Sequence, residues 1–470
     1  MTDLSSQFNL LITQRLRWAG AFADAVMTAS EELVELCQQE IAKPREEVIT
    51  AEILPLVAAC RWHQRHARGI LTTRRLPGTP WWLWGQKHQM IRRPLGRIAI
   101  IATWNYPVQL LGIQLLQAAV AGNSITVKPS EYAPRTQRRL LELAWSAGLG
   151  HDELTSTEAT RAAGEALLAE HDFDHVIFTG STRVGRKIAQ GCANTLTPST
   201  LELSGRDSAL VLDDADPGLA ARCLWNAVSA NAGQSCMAPR RALVHRSAYR
   251  AFCDALVPLA ASGQARKLVL PGEAARVRSL VDAAITEGGR SASGLHEQAP
   301  PDAPIRPMGV LDCPPEAALV EGDHFGPAIA VVEVDNIEQA LEIHGTIDQH
   351  LATSVWTRHP RRITEFLDRL GSATVMVNDV LVPTAHPAAS IEGHGLSGWG
   401  PSRGRRGLLA MSQAIHATRT PTRLRIPPEP PNESQLPILE RIAGITKRQP
   451  SRPTQTGTLT TTDSLTEKSS

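Results

Sequence analysis

The chain has 470 residues, enough for two or three domains with substantial cores and a cleft between them. Its 48 Lys and Arg against 47 Asp and Glu leave a formal charge of +1, which argues against a broad basic face for nucleic acid and against an acidic tail. Seven cysteines with no CxxC pair and no histidine clustering argue against structural zinc, and no run approaches a membrane span, so a reduced, soluble, cytoplasmic protein without bound metal is expected.

From Ser5 to about Leu71 apolar residues such as Leu33, Leu36, Cys37 and Ile41 recur at helical spacing, which predicts a helical lead-in. Trp81-Trp-Leu-Trp84 up to Arg93 reads as extended and ends in Pro94-Leu-Gly96. The pattern then changes. Arg97-Ile-Ala-Ile-Ile-Ala102 is a short apolar β-type run, Tyr106-Pro107 opens a helix to about Ala121, Gly122-Asn123 stops it, and Ser124 to Lys128 is the next strand. A helix from Arg135 to Ala147 follows. The strand His175 to Thr179 then leads through Gly180 into a helix from Val184 to Gly191. Strands that alternate with helices and lack polar alternation belong to a parallel sheet covered on both faces. After Leu201-Glu-Leu-Ser-Gly205, the strand Ala209 to Leu212 and a helix from Pro217 to Ala232 begin a second α/β unit that continues to about Val380. From Pro427 a proline-rich stretch gives way to a Thr/Ser-rich terminus, expected to be disordered, with one helical apolar stripe at Ile438, Leu439, Ile442 and Ile445.

Cys236 lies in Asn231-Ala-Gly-Gln-Ser-Cys-Met-Ala-Pro-Arg240, between Gly233 and Pro239 and just ahead of Arg240 and Arg241. A thiolate is favoured by nearby cations and free backbone N–H donors, which a glycine-containing loop with two arginines offers. Four further runs stand where α/β sheets gather ligands, at strand ends and helix starts. They are Thr103-Trp-Asn-Tyr-Pro107, Val127-Lys-Pro-Ser-Glu131, Phe178-Thr-Gly-Ser-Thr-Arg-Val-Gly185 and Leu201-Glu-Leu-Ser-Gly205.

With these five motifs in this order, the chain resembles the NAD(P)-dependent aldehyde dehydrogenase superfamily over about residues 10 to 425, and most of all its shorter, class 3-like members. The resemblance implies an α/β fold: a Rossmann-type parallel-sheet cofactor domain (1–75 and 95–207), a second α/β catalytic domain (208–405) and a small β oligomerisation arm (76–94 and 406–425), with 427–470 a linker and tail. It implies Cys236 as nucleophile, Asn105 as an oxyanion donor and Glu202 as the base that activates water. On its own Asn105 reads as a helix cap. Cofactor contacts are implied for Thr103, Trp104, Lys128, Glu131, Gly180, Ser181, Gly185, Asp323 and Phe325. A carboxylate at Glu131 repels a 2′-phosphate, so NAD is expected, with NADP as the alternative. The implied partners are a small aldehyde and further copies of the chain, as a homodimer or homotetramer, with no membrane and no nucleic acid.

The chain departs from the family pattern at Asp323, where glutamate is usual, at Ser204 in place of glycine, and at Pro387-Ala-Ala-Ser390 in place of Pro-Phe-Gly-Gly. Two other readings stand beside aldehyde oxidation. One is a CoA-acylating enzyme of the same family; the other is a non-catalytic binding or assembly protein on the same fold.

Overall fold

A computed structural model describes residues 2–83, 85–169, 172–294, 299–420 and 432–444. The lead-in is helical, with Thr2–Thr28, Ser30–Ile41 and Leu54–Leu71 as its main helices. Between the last two, Ile49–Ile53 widens into a single π-turn. Ile12, Phe22, Leu33 and Leu56 are fully buried, and the Trp18 indole donates to the Ala144 carbonyl at 3.0 Å, so this bundle covers one face of the first sheet's domain.

The first sheet has six strands in the order Gly398–Trp399, Ser199–Leu203, His175–Gly180, Arg97–Ile101, Ser124–Lys128, Leu154–Ser156. All pairs are parallel except the first, in which Gly398 opposes Glu202 antiparallel. The chain starts at Arg97–Ile101, winds outward to Leu154–Ser156, then returns to the other side of its starting strand at His175–Gly180. That reversal places a crevice beyond the carboxyl ends of Arg97–Ile101 and His175–Gly180, where open α/β sheets bind ligands. The helix Gln109–Ala121 is buried on every side and ends at Gly122, whose φ of 95° is the left-handed cap.

The second sheet has seven strands in the order Arg290–Ser291, Met308–Leu311, Ala328–Val334, Arg241–His245, Ser208–Val211, Ala352–Trp356, Thr374–Val377. Only the first pair is antiparallel. The inner strands are buried along nearly their whole length, as parallel strands covered on both faces should be.

Several expectations change. The helix after Pro107 begins at Gln109 rather than at Tyr106, because Glu52 supplies its cap. The helix expected to run to Ala232 ends at Ser229, where the backbone turns left-handed. Leu154–Ser156 and the helix Arg161–Ala169 complete a third unit that periodicity did not locate. Of the segment expected to be extended, Lys87–Pro94 is a strand, whereas Trp81–Leu83 is one 3₁₀ turn; Trp84 lies outside the described residues. Leu76–His88 and the chain from Thr418 form a small separate unit, with Trp81 and Trp82 exposed and a short helix Leu436–Ile442 whose apolar side chains are also exposed. Ile445, the proline run and the Thr/Ser-rich terminus lie outside the described residues. Among the described residues no helix is long and apolar enough to cross a membrane, and no cluster of three metal-ligating side chains occurs.

Candidate active site

The cysteine loop is shaped by backbone that few residues adopt. After the helix Pro217–Ser229, Asn231 and Ala232 take φ of 50° and 51°, and Gly233 takes 70°. A Cβ on Gly233 would lie 2.4 Å from the Gly326 carbonyl carbon, so only glycine fits there. Two clamps hold the turn. On one side Glu47, paired to Arg266 at 2.7 Å, accepts the Asn231 N–H at 2.8 Å. On the other, the Arg240 guanidinium donates to Gly233 O at 3.1 Å, Gly326 O at 2.8 Å and Ser235 O at 3.0 Å. Arg241 donates to Ile343 O at 3.1 Å and Arg206 O at 3.3 Å. Both arginines are buried and bond main-chain carbonyls, so they fix the loop, and of the two Arg240 also has Cys236 among the charges it faces.

Glu202 stands on Ser199–Leu203, beside Thr179 in the neighbouring strand. One carboxyl oxygen, Oε2, accepts from Thr179 Oγ1 at 3.1 Å and from Gln114 Nε2 at 3.4 Å. The other, Oε1, is buried and has no partner among the described residues. Burial pushes this carboxyl up, against the opposing pull of the Arg403 charge and the two hydrogen bonds. Just past this strand, the Gly205 N–H donates to the Cys236 carbonyl at 3.1 Å, which ties the acid's strand to the nucleophile's loop.

Cys236 is half-buried, packed beside Met237, Leu351, Met376 and Ile391. Its thiol is pushed up to about 12, first by burial and then by the facing Glu202 charge, while Arg403 pulls it down. Asp207, itself pushed up to about 7 by burial, adds a further opposing charge. The residues around the loop suggest a thiolate, whereas burial and the facing Glu202 and Asp207 charges favour the protonated thiol, against the pull of Arg403.

Asn105 comes from the loop between Arg97–Ile101 and Gln109–Ala121, and it is buried. Its Nδ2 donates to Gln234 O at 3.2 Å, and its Oδ1 accepts from Thr103 Oγ1 at 3.0 Å. Its carbonyl accepts from Lys43 Nζ at 2.7 Å and Asn231 Nδ2 at 3.0 Å. The cap of the next helix is Glu52, which accepts from Val108 N at 3.1 Å and Gln109 N at 2.8 Å while ion-paired to the buried Lys43. Asn105 is thus not a cap, and its second amide hydrogen is not used by these contacts.

Of the residues expected at a cofactor, Thr103, Trp104, Lys128, Glu131, Gly180, Ser181 and Gly185 follow or end strands of the first sheet or open the helix after them, whereas Asp323 and Phe325 come from the loop before Ala328–Val334 of the second sheet. Lys128 and Glu131 pair at 2.5 Å, the lysine buried and the glutamate exposed. Ser181 caps the helix Thr182–Thr195, its Oγ accepting from Val184 N at 3.4 Å, so that helix presents free N–H groups just after Gly180. A Cβ on Gly185 would lie 2.5 Å from a Leu203 methyl, so glycine lets this helix close on the sheet. Trp104, which follows Thr103 at the end of Arg97–Ile101, meets Phe325 edge-on with ring centroids 5.8 Å apart. Asp323 is exposed, and its charge faces Arg240.

The profile of the aldehyde dehydrogenase family matches residues 7–416. The chain belongs to that family. Among its relatives, a 4,4'-diapolycopene aldehyde oxidase of Methylomonas sp is 26% identical, over 90% of this chain and 80% of that protein. The betaine aldehyde dehydrogenase of Bacillus subtilis is 28% identical over 70% of each. An NAD+ complex of the Bacillus cereus aldehyde dehydrogenase superposes with a TM-score of 0.80 at 25% identity, covering 87% of this chain and 84% of that one.

Within this aldehyde dehydrogenase two of the three departures from pattern, Ser204 and Pro387–Ser390, contact the Ser397–Gly404 stretch. Ser204 O accepts from Gln349 Nε2 at 2.7 Å and from Ser397 Oγ at 3.2 Å, and its own Oγ accepts from Gln349 Nε2 at 3.3 Å. The Pro387–Ser390 run packs on Arg403 and Gly404: Ser390 Oγ donates to Arg403 O at 3.2 Å. A Cβ on Gly404 would lie 2.2 Å from Ala388 O. Arg403, which the motifs did not single out, is a buried cation whose electrostatic neighbours include Glu202 and Cys236. Its one available signal was the Ser-Arg-Gly step that follows Ser397-Gly-Trp-Gly400. A cavity of about 480 Å³ opens on the other side of the cysteine loop, lined among others by Lys43, Glu47, Tyr106, Asn226, Asn231 and Arg266. Tyr106 spans the two, since its hydroxyl bonds Ser235, the residue before Cys236.

Proposed function

We propose that this chain oxidises an aldehyde to a carboxylic acid through a covalent thioester on Cys236. The observation that carries the reading is a convergence. Three segments far apart in sequence meet at one loop, because Asn105 Nδ2 bonds Gln234 O and the Gly205 N–H, three residues past Glu202, bonds Cys236 O. Once the thiol has given its proton to solvent, the sulfur adds to the carbonyl carbon, an S–C bond forms, and the aldehyde oxygen takes the negative charge. The spare amide hydrogen of Asn105 and the Cys236 main-chain N–H are the donors suited to that oxyanion, a role worth a few kcal/mol in such sites. Glu202, with Oε1 free, takes a proton from the water that later attacks the thioester; the acid departs and the thiol is restored. This free oxygen favours water over CoA as the acyl acceptor.

NAD fits the crevice. The paired Lys128 and Glu131 sit where ribose hydroxyls would be met, the Ser181 helix N-terminus suits a pyrophosphate, and Trp104 and Phe325 wall the path toward Cys236. When bound, the nicotinamide supplies the hydride acceptor. The exposed carboxylate of Glu131 disfavours a 2′-phosphate, so NAD is preferred to NADP. The exposed Trp81 and Trp82 are offered as part of a contact between copies of the chain.

The test is Cys236→Ala with NAD and a panel of aliphatic, aromatic and carboxylated aldehydes. NADH formation should vanish for every substrate that the unaltered enzyme accepts. Appreciable residual turnover refutes the nucleophile.

A further inference from the structure

Asn231 stands at the left-handed bend of the cysteine loop, with φ of 50° and ψ of 28°, and it is buried. Asparagine is one of the few residues that enter this region at little cost. Its side chain serves two loops. Nδ2 donates to Asn105 O at 3.0 Å and to Gln234 O at 3.0 Å, one hydrogen to each. The neighbours decide that orientation, because an amide oxygen in the same place would meet two acceptors. Gln234 O is also the atom that receives Asn105 Nδ2 at 3.2 Å. A closed ring results: the Asn231 amide ties the main chain of Asn105 to the same carbonyl that orients the Asn105 side chain.

The main chain of Asn231 is pinned as well. Its carbonyl accepts from Gln234 N and from Gln234 Nε2, each at 3.0 Å, and its N–H donates to Glu47 Oε2 at 2.8 Å. Glu47 reaches in from the helical lead-in, where Arg266 pairs with it. The π-turn Ile49–Ile53 lies between Glu47 and Glu52 and takes up one extra residue, so two glutamates five positions apart come round to one side. Glu47 then holds the cysteine loop, and Glu52 holds Val108 and Gln109 just after Asn105. Asn105 O and Gln234 O both lie 3.0 Å from one nitrogen, so the negative ends of two peptide dipoles converge on one point. A tethered donor there turns a repulsion into a link. Lys43 Nζ also bonds Asn105 O, at 2.7 Å, but its other partner is Glu52 and not the cysteine loop.

We infer that Asn231 is a positioning residue for the oxyanion donor: its amide sets the Asn105 side chain against Cys236, two positions past Gln234. The inference rests on the thioester reading above. Asn231 touches no reacting atom in that scheme and acts through Asn105.

The test is a double-mutant cycle of kcat, read as steady-state NADH formation by the full chain with NAD and an aldehyde that the unaltered enzyme accepts. Glycine takes the left-handed bend without strain, so Asn231→Gly removes the amide and leaves the main-chain bonds to Glu47 and Gln234. Alone it should lower kcat by about 10- to 100-fold, the scale of a displacement of about 1 Å. Added to Asn105→Ala it should cost no more than about a further threefold, because the donor that it places is already gone. A general loss of structure would multiply the two losses instead. An Asn231→Gly kcat within about threefold of the unaltered enzyme overturns the inference, as does a double variant slower than Asn105→Ala by about tenfold or more. If Asn231→Gly does not fold, Glu47→Leu takes its place in the cycle, since it removes the acceptor that holds Asn231, and the same outcomes decide. An unaltered kcat in Asn105→Ala overturns the donor and this inference together. Failure of the thioester reading is separate and shows as NADH formation surviving Cys236→Ala.

Discussion

The side-chain amide of Asn105 donates to the main-chain carbonyl of Gln234 at 3.2 Å, two positions ahead of Cys236. This bond fixes the orientation of an amide whose other hydrogen, in the proposed mechanism, serves the oxyanion. Asn105→Ala should lower kcat by about 100- to 1000-fold with a much smaller change in KM, the loss typical of one such donor. Steady-state NADH production checks it, and a kcat within about threefold of the unaltered enzyme would rule out the role.

Glu202→Gln should separate the two halves of the reaction. Acylation goes on, so a rapid burst of NADH close to one per site survives, while the steady rate after it falls by about 100- to 10,000-fold. Because burial holds the Glu202 carboxyl above its ordinary range, the steady rate of the unaltered enzyme should climb with pH through that raised range. Stopped-flow traces read both; a variant with neither burst nor turnover would show that Glu202 acts before the thioester forms.

The Lys43 and Glu52 pair is wholly buried, and Glu52 also caps the helix that follows Asn105. Removing one partner leaves the other charge stranded, so Lys43→Met should cost about 3 to 5 kcal/mol in urea unfolding. Lys43→Met combined with Glu52→Leu should recover part of that loss. Equal losses in the single and double variants would mean that the pair itself is not what the fold needs.

His63 and His175 are buried, and burial lowers each from 6.5 to about 4. A base whose folded value is depressed binds fewer protons folded than unfolded, so its stability contribution is present above pH 6.5 and drains as pH falls toward 4. Full protonation would cost on the order of 3 kcal/mol for each. Calorimetry should show Tm falling steadily between about pH 6.5 and pH 4.5; a flat Tm across that interval contradicts the neutral buried state.

Much of this was legible in the residues. Arg97–Ile101 and Ser124–Lys128 announce themselves because strands buried on both faces are continuously apolar, and Gly122 marks a helix end because the left-handed cap favours glycine. Cys236, Glu202 and Asn105 were visible as local motifs. Leu154–Ser156 was not, since three residues at a sheet edge carry no periodicity. Arg240 and Arg241 were half legible, because sequence adjacency says nothing about direction: their guanidinium groups turn to carbonyls of Gly233, Gly326 and Ile343, while the charge of Arg240 still faces Cys236. Arg403 was hidden for the opposite reason. Its guanidinium donates to Gln109 and Thr384 in two separate segments, and its positive φ makes the run read as an ordinary glycine turn.

The antiparallel seam between Gly398 and Glu202 has a consequence for biogenesis. The edge strand of the first sheet comes from Gly398–Trp399, so a nascent polypeptide that has delivered Cys236 from the ribosome still lacks the ribbon beside Glu202. An unfinished or truncated product therefore carries both residues with the sheet open at Glu202, and closure waits until synthesis has passed Trp399.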